Sequence, residues 1–364
     1  MSRALIAALA CLLLPEAAEA ATMAVELVPE APELAGLQVQ RPVWAPGAVP
    51  RLVHESTDRS RRSALRVITF GADPVLIPAS RSSRLAAMGA GAERADGAAT
   101  WWDAEGFFFV RSAGGSVTAH YWDGILRDLE APGGRPTEIA RDPAGGLLVS
   151  MEDDQGLDLF RFPGTDLAAS PRRLTTTRGQ VEHAITPLPD GRVAFLVASQ
   201  EGTQLMLLGK TGATAAAVAI QDELLSLTAL PDGRLLAWAR RAEGDRYVLL
   251  LIDLAGPVAV LASDGFLPPG VAPVPAASAS GWIYYVRADP AAGNPIVRLR
   301  ADGGPAERVA MTTTGHQEVA AHSYPSTSGR AVDWLAVVAV GDPDGDDVTN
   351  RLFVGPVSDA GEAP

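Results

Sequence analysis

The sequence predicts an all-β protein built from repeated four-stranded units. This prediction rests mainly on two segments with similar sequences that lie 42 residues apart. They are PLPDGRVAFLVAS at 187–199 and ALPDGRLLAWARR at 229–241. In each, Pro-Asp-Gly is typical of a tight turn, and the run that follows has apolar residues on both faces of a strand. A strand that is apolar on both faces must be covered on both, so neighbouring sheets are expected to stack.

Further copies of this turn and strand occur along the chain. The glycines of the successive first hairpins are Gly47, Gly106, Gly146, Gly191, Gly233, Gly281 and Gly329. Their spacings are 59, 40, 45, 42, 48 and 48 residues, and a unit of about 40 to 45 residues is the size of one propeller blade. The long first interval contains residues 80–97, which we interpret as a surface insertion. The sequence therefore predicts a seven-bladed β-propeller at 41–359, with six blades, or a β-sandwich or solenoid, as the alternatives.

The last copy lacks an outer strand in its own sequence. It has strands in AVDWLAVVAV (331–340) and NRLFVGPV (350–357), and only residues 360–364 follow its last strand, as a tail predicted to be disordered. Propellers avoid exposed sheet edges by closing the ring. We therefore predict that the N-terminal segment 21–40 supplies the missing strand, from either residues 24–28 or residues 37–40.

Residues 1–20 have the pattern of a secretory signal peptide. A positive Arg3 precedes an apolar stretch, and Ala18-Glu19-Ala20 fits the small-x-small cleavage rule. Cys11, the only cysteine, lies inside this segment; a lipoprotein with cleavage before Cys11 is the alternative. The mature chain is thus expected in the periplasm or outside the cell, without a disulfide or thiol nucleophile. No later stretch is apolar enough to predict a membrane span.

Charge limits the class of partner. The formal net charge of −13 disfavours nucleic acid, whose phosphates would be repelled. Most second hairpins are acidic, including Asp153 and Asp154, so the entrance face of the ring is expected to carry a negative field with one basic sector at Arg59, Arg61 and Arg62. Such a field suits a cationic partner or metal. The alternative is that these are ordinary acidic surface loops.

One loop resembles a calcium site in part. Asp342, Asp344 and Asp346 occupy positions 1, 3 and 5 of a calcium-like loop. However, the glycine falls at position 4 and position 12 is Phe353, which cannot donate an oxygen ligand from its side chain. An Asp/Gly hairpin turn is the competing interpretation.

Two crossovers between units share a composition. TTTRGQVEHA (175–184) and TTTGHQEVAAH (312–322) each bring Gln, Glu and His toward the expected central channel. Their acid and imidazole side chains could together bind a metal or act as a general base. The alternative is that each makes only local hydrogen bonds. The candidate binding residues of these crossovers are Glu182, His183, His316, Glu318 and His322.

The repeats resemble the TolB-type propeller family. In that family each repeat begins with Pro-x-Trp-Ser-Pro-Asp-Gly, which is followed by an apolar strand, a turn and a second strand. A Gly-Gly turn and Leu-Thr come next. PVWAPG (42–47), PRRLTT (171–176) and VRLRADGGPAERVAMT (297–312) fit parts of it. The resemblance implies a periplasmic or secreted propeller that binds other molecules. TolB itself has six blades and a preceding α/β domain for which this sequence shows no room, so its role in the Tol–Pal system does not carry over.

Together these patterns favour a secreted, monomeric, non-enzymatic scaffold that binds an envelope or secreted protein or another ligand. No cofactor is expected, apart from calcium or another divalent metal at the loop of Asp342, Asp344 and Asp346, where the calcium pattern is incomplete. The alternative function is a metal-dependent lyase or hydrolase with its site in the propeller funnel. A propeller peptidase is disfavoured because the sequence contains no G-x-S-x-G motif.

Overall fold

The structure is a computed structural model of the 364-residue chain. The residues that it describes are 19–23, 26–27, 38–57, 63–70, 81–84, 94–113, 116–129, 134–154, 156–163, 170–177, 179–200, 202–209, 214–216, 218, 220–241, 247–267, 274–326, 329–340 and 350–359. These residues form β-strands joined by turns, with one turn of 3-10 helix at Pro290–Ala292. No helix within these ranges is long and apolar enough to cross a membrane.

The strands follow one another closely along the chain. Their bounds are β1 Glu19–Met23, β2 Glu26–Leu27, β3 Gln38–Trp44, β4 Arg51–Thr57, β5 Ser63–Thr69, β6 Arg81–Arg84, β7 Arg94–Trp101, β8 Phe107–Ala113, β9 Ser116–Trp122, β10 Leu126–Leu129, β11 Arg135–Asp142, β12 Gly146–Asp153, β13 Gly156–Phe162, β14 Arg172–Arg173, β15 Val181–Pro187, β16 Val193–Ser199, β17 Gly202–Leu208, β18 Thr214–Ala216, β19 Glu223–Ala229, β20 Leu235–Arg240, β21 Tyr247–Ile252, β22 Val258–Gly265, β23 Ala276–Ala277, β24 Trp282–Val286, β25 Ile296–Arg300, β26 Glu307–Ala310, β27 His316–Pro325, β28 Ala331–Val340 and β29 Asn350–Asp359.

Antiparallel pairing groups these strands into consecutive sets. The first set is β3–β6 and the second β7–β10; the third is β11–β14, the fourth β15–β18, the fifth β19–β22 and the sixth β23–β26, and the last is β27–β29. The first hairpins of the fourth and fifth sets are the Pro-Asp-Gly turns. Gly191 and Gly233 have φ of 84° and 87° there, the left-handed region that a glycine enters without steric cost.

The N-terminal strands pair with the last set. β2 runs antiparallel to β29, with Glu26 opposite Val354, and β1 pairs antiparallel with β29 and parallel with β26. Of the two segments expected to supply the outer strand, 24–28 thus contains β2. Residues 38–40 instead begin β3 and pair with β4, so the first set begins at Gln38, before the expected boundary at 41.

Apolar clusters lie between neighbouring sets. One joins the first set to the last: Trp44 lies 5.7 Å from Tyr324 and 6.2 Å from Trp334, measured between ring centroids, and all three are buried. Six further clusters join the first set to the second and each later set to the next. The two-sided apolarity of the second strands, such as Leu235 to Ala239, follows from this stacking.

Several sequence expectations fall on or near undescribed residues. The interpretation of 80–97 as a surface insertion is wrong in part, because β6 pairs with β5 and the first residues of β7 pair with β8. Residues 1–18, the basic sector, the acidic loop and the tail lie outside the described residues. The described strand β1 includes Glu19 and Ala20, so the expected cleavage position falls inside it.

The first strands of the sets carry bulges. Register shifts interrupt β3, β7, β11, β15, β19 and β27 against their partners. At two of these bulges a non-glycine residue has positive φ, Arg41 at 50° and Ala184 at 54°. A bulge leaves backbone groups without a partner in the ladder, and side chains from neighbouring sets bind them here.

Candidate functional site

The first crossover is organised around a buried carboxylate. Glu182 is fully buried and accepts hydrogen bonds from Thr175 Oγ1 at 2.6 Å and Thr177 Oγ1 at 2.7 Å. The Thr177 backbone N–H donates to Asp158, which also pairs with Arg173. Burial raises the pKa of Glu182, against these hydrogen bonds. The carboxylate thus holds the crossover loop in place.

The other candidates near this crossover differ in exposure. The Arg173 guanidinium also lies 3.2 Å from Asp153, so Asp153 belongs to the same network, whereas Asp154 is exposed in the turn that follows β12. His183 is half-buried on β15, opposite Leu196, and burial lowers its pKa. Within the described residues, the His183 side chain makes no hydrogen bond or ion pair.

The second crossover also commits its polar groups to the fold. The buried His316 has Nδ1 2.7 Å from the Asn294 carbonyl and Nε2 3.1 Å from Thr313 Oγ1. Because a carbonyl only accepts, Nδ1 carries a proton, and Nε2 accepts from the threonine hydroxyl when the ring is neutral. Burial lowers the pKa of His316, which favours that neutral ring. His322 is half-buried against the Tyr324 ring at 4.6 Å, and burial lowers its pKa too.

A buried and a half-buried carboxylate join first strands of neighbouring sets. The side chain of Glu318 on β27 accepts from Arg41 N at 2.9 Å, and that of Glu138 on β11 accepts from Ala184 N at 2.7 Å and Ile185 N at 2.8 Å. Both acceptors reach N–H groups at a positive-φ bulge of the next set. Desolvation by burial raises the pKa of each carboxyl to about 7. Pro42 has no N–H, so Glu318 finds one donor at its bulge where Glu138 finds two.

These candidates do not assemble into a metal centre in the described part of the chain. No three His, Cys, Asp or Glu side chains lie together there in a way that could hold a metal ion. Glu182 accepts hydrogen bonds within its own crossover, and Glu318 binds the first set. His316 binds Thr313 of its own crossover and the Asn294 carbonyl of the sixth set. Asp342, Asp344 and Asp346 lie outside the described residues.

A cleft opens between the sixth set and the last set, next to their first hairpins. Its volume is about 260 Å³. The cleft residues are Ser280, Trp282, Tyr284, Arg298, Arg300, Arg330, Ala331, Val332, Asp333, Pro356, Val357, Ser358 and Asp359. None of its charged side chains belongs to a motif that marks a site in the sequence.

The sixth set contributes an arginine and tryptophan stack to this cleft. Arg300 lies opposite Trp282 in the β24–β25 ladder, and Arg298 is two residues away on the same face. Their guanidinium carbons lie 3.9 and 4.0 Å from the centroid of the Trp282 ring, well within the range of a cation–π interaction. Arg300 also donates to the Ser280 carbonyl at 2.6 Å, across the tight turn at Gly281, where φ is 86°.

The last set contributes a buried carboxylate that is already saturated. Asp333 is 6% exposed and accepts hydrogen bonds of 2.6 to 2.8 Å from Ser278, Ser280, Tyr284 and Ser323. Four donors match the lone-pair capacity of one carboxylate. Three of these donors belong to the sixth set, so Asp333 joins the two sets beneath the cleft.

Comparisons with known proteins identify the type of fold. The chain matches a puromycin-hydrolysing peptidase of Mycobacterium tuberculosis with a TM-score of 0.63 and 14% identity, over 96% of this chain and 57% of the peptidase. A catalytically inactive virginiamycin B lyase of Staphylococcus aureus with quinupristin gives 0.54 and 12%, over 92% and 99%. YCF48 bound to D1 peptide gives 0.57 and 10%, over 93% and 98%.

These neighbours are β-propeller-type proteins. The fold is an all-β fold of the propeller type. The chain spans little more than half of the peptidase that it matches. No family model matches the sequence, and no curated protein matches it.

Proposed function

We propose that this protein is an exported, seven-bladed propeller of TolB-like repeats that acts as a non-enzymatic binding scaffold. Seven blades are supported by seven apolar clusters, one of which joins the first strand set to the last. Pairing of β1 and β2 with β29 supports closure by the N-terminal segment. Export is supported by the signal-peptide pattern of residues 1–20.

The cleft between the sixth and last sets carries the binding function. Glu182 and Glu318, the crossover carboxylates that could take part in a reaction, already accept hydrogen bonds from hydroxyl and backbone groups of the protein. In contrast, the cleft is open, its floor continues the apolar cluster around Tyr284, and its wall carries cationic side chains. A concave site with an apolar lining and a few polar groups is what ligand sites share.

Site-specific photo-crosslinking tests this function. A photoreactive phenylalanine analogue at the exposed Ala331 on the cleft should give an adduct with a ligand or protein of the native envelope, and Arg300→Gln should reduce it. The control places the same analogue at Ala255, which is exposed in the fifth set. Equal adducts at both positions, or none at Ala331, would contradict a ligand site at the cleft.

A metal-dependent lyase or hydrolase in the funnel is the second candidate. It is favoured by the likeness to virginiamycin B lyase, which extends over 99% of that enzyme's chain, and by the half-buried His183 and His322 on first strands. Elemental analysis of the purified protein distinguishes this candidate. A stoichiometric metal whose removal by chelator abolishes a lyase or hydrolase activity would support it, and a metal-free protein unaffected by chelator would eliminate it.

A further inference from the structure

The cleft side chains differ in how much binding capacity the fold leaves them. Arg298 is 5% exposed on its side chain and pairs with Glu307 at 2.9 Å and Asp359 at 2.8 Å. Its charge is therefore compensated within the protein. Asp333 is equally unavailable, because it is buried and already accepts four hydrogen bonds, three on Oδ2 and one on Oδ1. Neither group is placed to select a ligand by charge.

Arg300 keeps most of its hydrogen-bonding capacity. A guanidinium has five N–H donors, and the Arg300 contacts toward the described residues are the Ser280 carbonyl and the Trp282 ring. Stacking on tryptophan fixes the plane of the group, so little side-chain entropy is lost when it binds. Arg330 stands on the opposite wall, with its side chain 65% exposed and Asp359 at 3.9 Å. The cleft thus presents two cationic groups on an open rim.

We propose that the cleft binds a single carboxylate borne on a small apolar group, with Arg300 as the main carboxylate-binding residue and Arg330 as the second. This assignment rests on the proposed function of the cleft as a ligand site. The chemistry is that of the C-terminal residue of a peptide or of a free small acid. A planar carboxylate matches the fork of a guanidinium and accepts two parallel hydrogen bonds from it.

The size of the cleft and the net charge of the protein restrict the class of ligand further. A cleft of about 260 Å³ lies at the small end for ligand sites, enough for one residue-sized group against Val332, Pro356 and Val357. The net charge of −13 repels polyanions at long range, whereas it repels a single carboxylate only weakly. The local cationic rim on an acidic protein therefore selects one carboxylate over a phosphate chain or nucleic acid.

Calorimetric titration with matched probes tests the proposal. N-acetyl-leucine carries the carboxylate, and its C-terminal amide is identical apart from that charge. We expect the acid to bind the full-length protein at least about tenfold more tightly than the amide, since hydrogen bonds to charged groups are the stronger class. Arg300→Gln should remove this preference. Arg192→Gln should keep it, because Arg192 pairs with Asp190 on the turn of the fourth set, away from the cleft.

The outcomes separate this proposal from the function on which it rests. Equal binding of acid and amide, or an unchanged preference in Arg300→Gln, would overturn the carboxylate assignment while leaving the cleft a ligand site. Absence of binding by every probe, together with absence of a specific adduct at Ala331, would overturn both. If Arg300→Gln does not fold, the exposed Arg330→Gln replaces it and should weaken the preference.

Peptide length distinguishes the two sources of the carboxylate. A tripeptide that ends in leucine should bind more tightly than N-acetyl-leucine if the natural ligand is a peptide C-terminus. Binding of the short acid but not of the tripeptide would assign the cleft to a free small acid. Inorganic phosphate serves as the third probe, and its binding more tightly than the acid would overturn the selection for a monocarboxylate.

Discussion

Replacing Glu138 by glutamine should change how the stability of the protein depends on pH. The Glu138 carboxylate is half-buried and accepts from two backbone N–H groups of the fourth set. Burial nevertheless raises its pKa from 4.5 to about 7. Between these values the folded state holds a proton that the unfolded state has released, so the stability due to this group is present below pH 4.5 and is lost as the pH rises through 7.

The size of the effect follows from that difference. A rise from 4.5 to about 7 corresponds to about 3 kcal/mol, at 1.36 kcal/mol per pH unit. Glutamine does not ionise, so Glu138→Gln should lack this loss. We expect the free energy of unfolding of the variant, minus that of the wild type, to rise by about 3 kcal/mol between pH 4 and pH 8. The glutamine amide cannot accept both N–H groups. This loss changes the free energy of unfolding of the variant by an amount that is the same at every pH.

Urea unfolding at several pH values measures this difference. The histidines contribute equally to the free energy of unfolding of the variant and of the wild type, so their contribution cancels in the difference. In the wild type alone, their lowered pKa values make stability rise with pH and so oppose the effect of Glu138. Glu152→Gln is the matched control, since it makes the same exchange at an exposed position, and the pH trend of Glu138→Gln should exceed the one found for this control. A flat difference for Glu138→Gln would refute the reasoning, because the buried carboxyl would then titrate as it does in the unfolded chain.

Three further changes test the fold around the cleft and the closure. Asp333→Ala leaves four hydroxyls without their acceptor, three of them buried or half-buried, and should lower the unfolding free energy by about 3 kcal/mol, as measured by urea titration. Gly265→Ala would bring a Cβ to 2.2 Å from the Trp238 ring and should cost about 1–3 kcal/mol through overpacking; an unchanged melting temperature would show that the ring can move aside. Deleting residues 1–36 removes β1 and β2 and leaves an edge of β29 open. The deletion should lower the melting temperature and promote self-association, whereas a monomer of unchanged stability would show that the N-terminal strands do not close the ring.

Much of the fold could be predicted from repetition alone. The Pro-Asp-Gly turns gave a period, and the strands that follow these turns, such as Leu235 to Ala239, are buried between sets. This works because one apolar strand pattern recurs wherever a sheet is covered on both faces. The start of β3 was harder to predict, because Gln38 and Gln40 precede a bulge that interrupts the pattern at Arg41.

The candidate site was less accessible to sequence reasoning. Glu138 receives its two donors from a bulge 46 and 47 residues away, and no local motif marks such a pair. In the cleft, Arg298 and Arg300 alternate on one face of β25, a pattern that indicates a cationic face. Asp359, which compensates the charge of Arg298, comes from the next set. Only the folded structure therefore distinguishes this arginine from Arg300.

The N-terminal strands and the cleft lie at the same junction between two strand sets. β1 pairs with β26 of the sixth set and with β29 of the last, and in that ladder Ala21 lies opposite Asp359. Asp359 in turn pairs with Arg298 across the cleft. A ligand held by Arg300 on one set and Arg330 on the other would therefore span the junction that the N-terminal strands close. A ligand that bridged the two sets in this way would add its binding free energy to the stability of that junction.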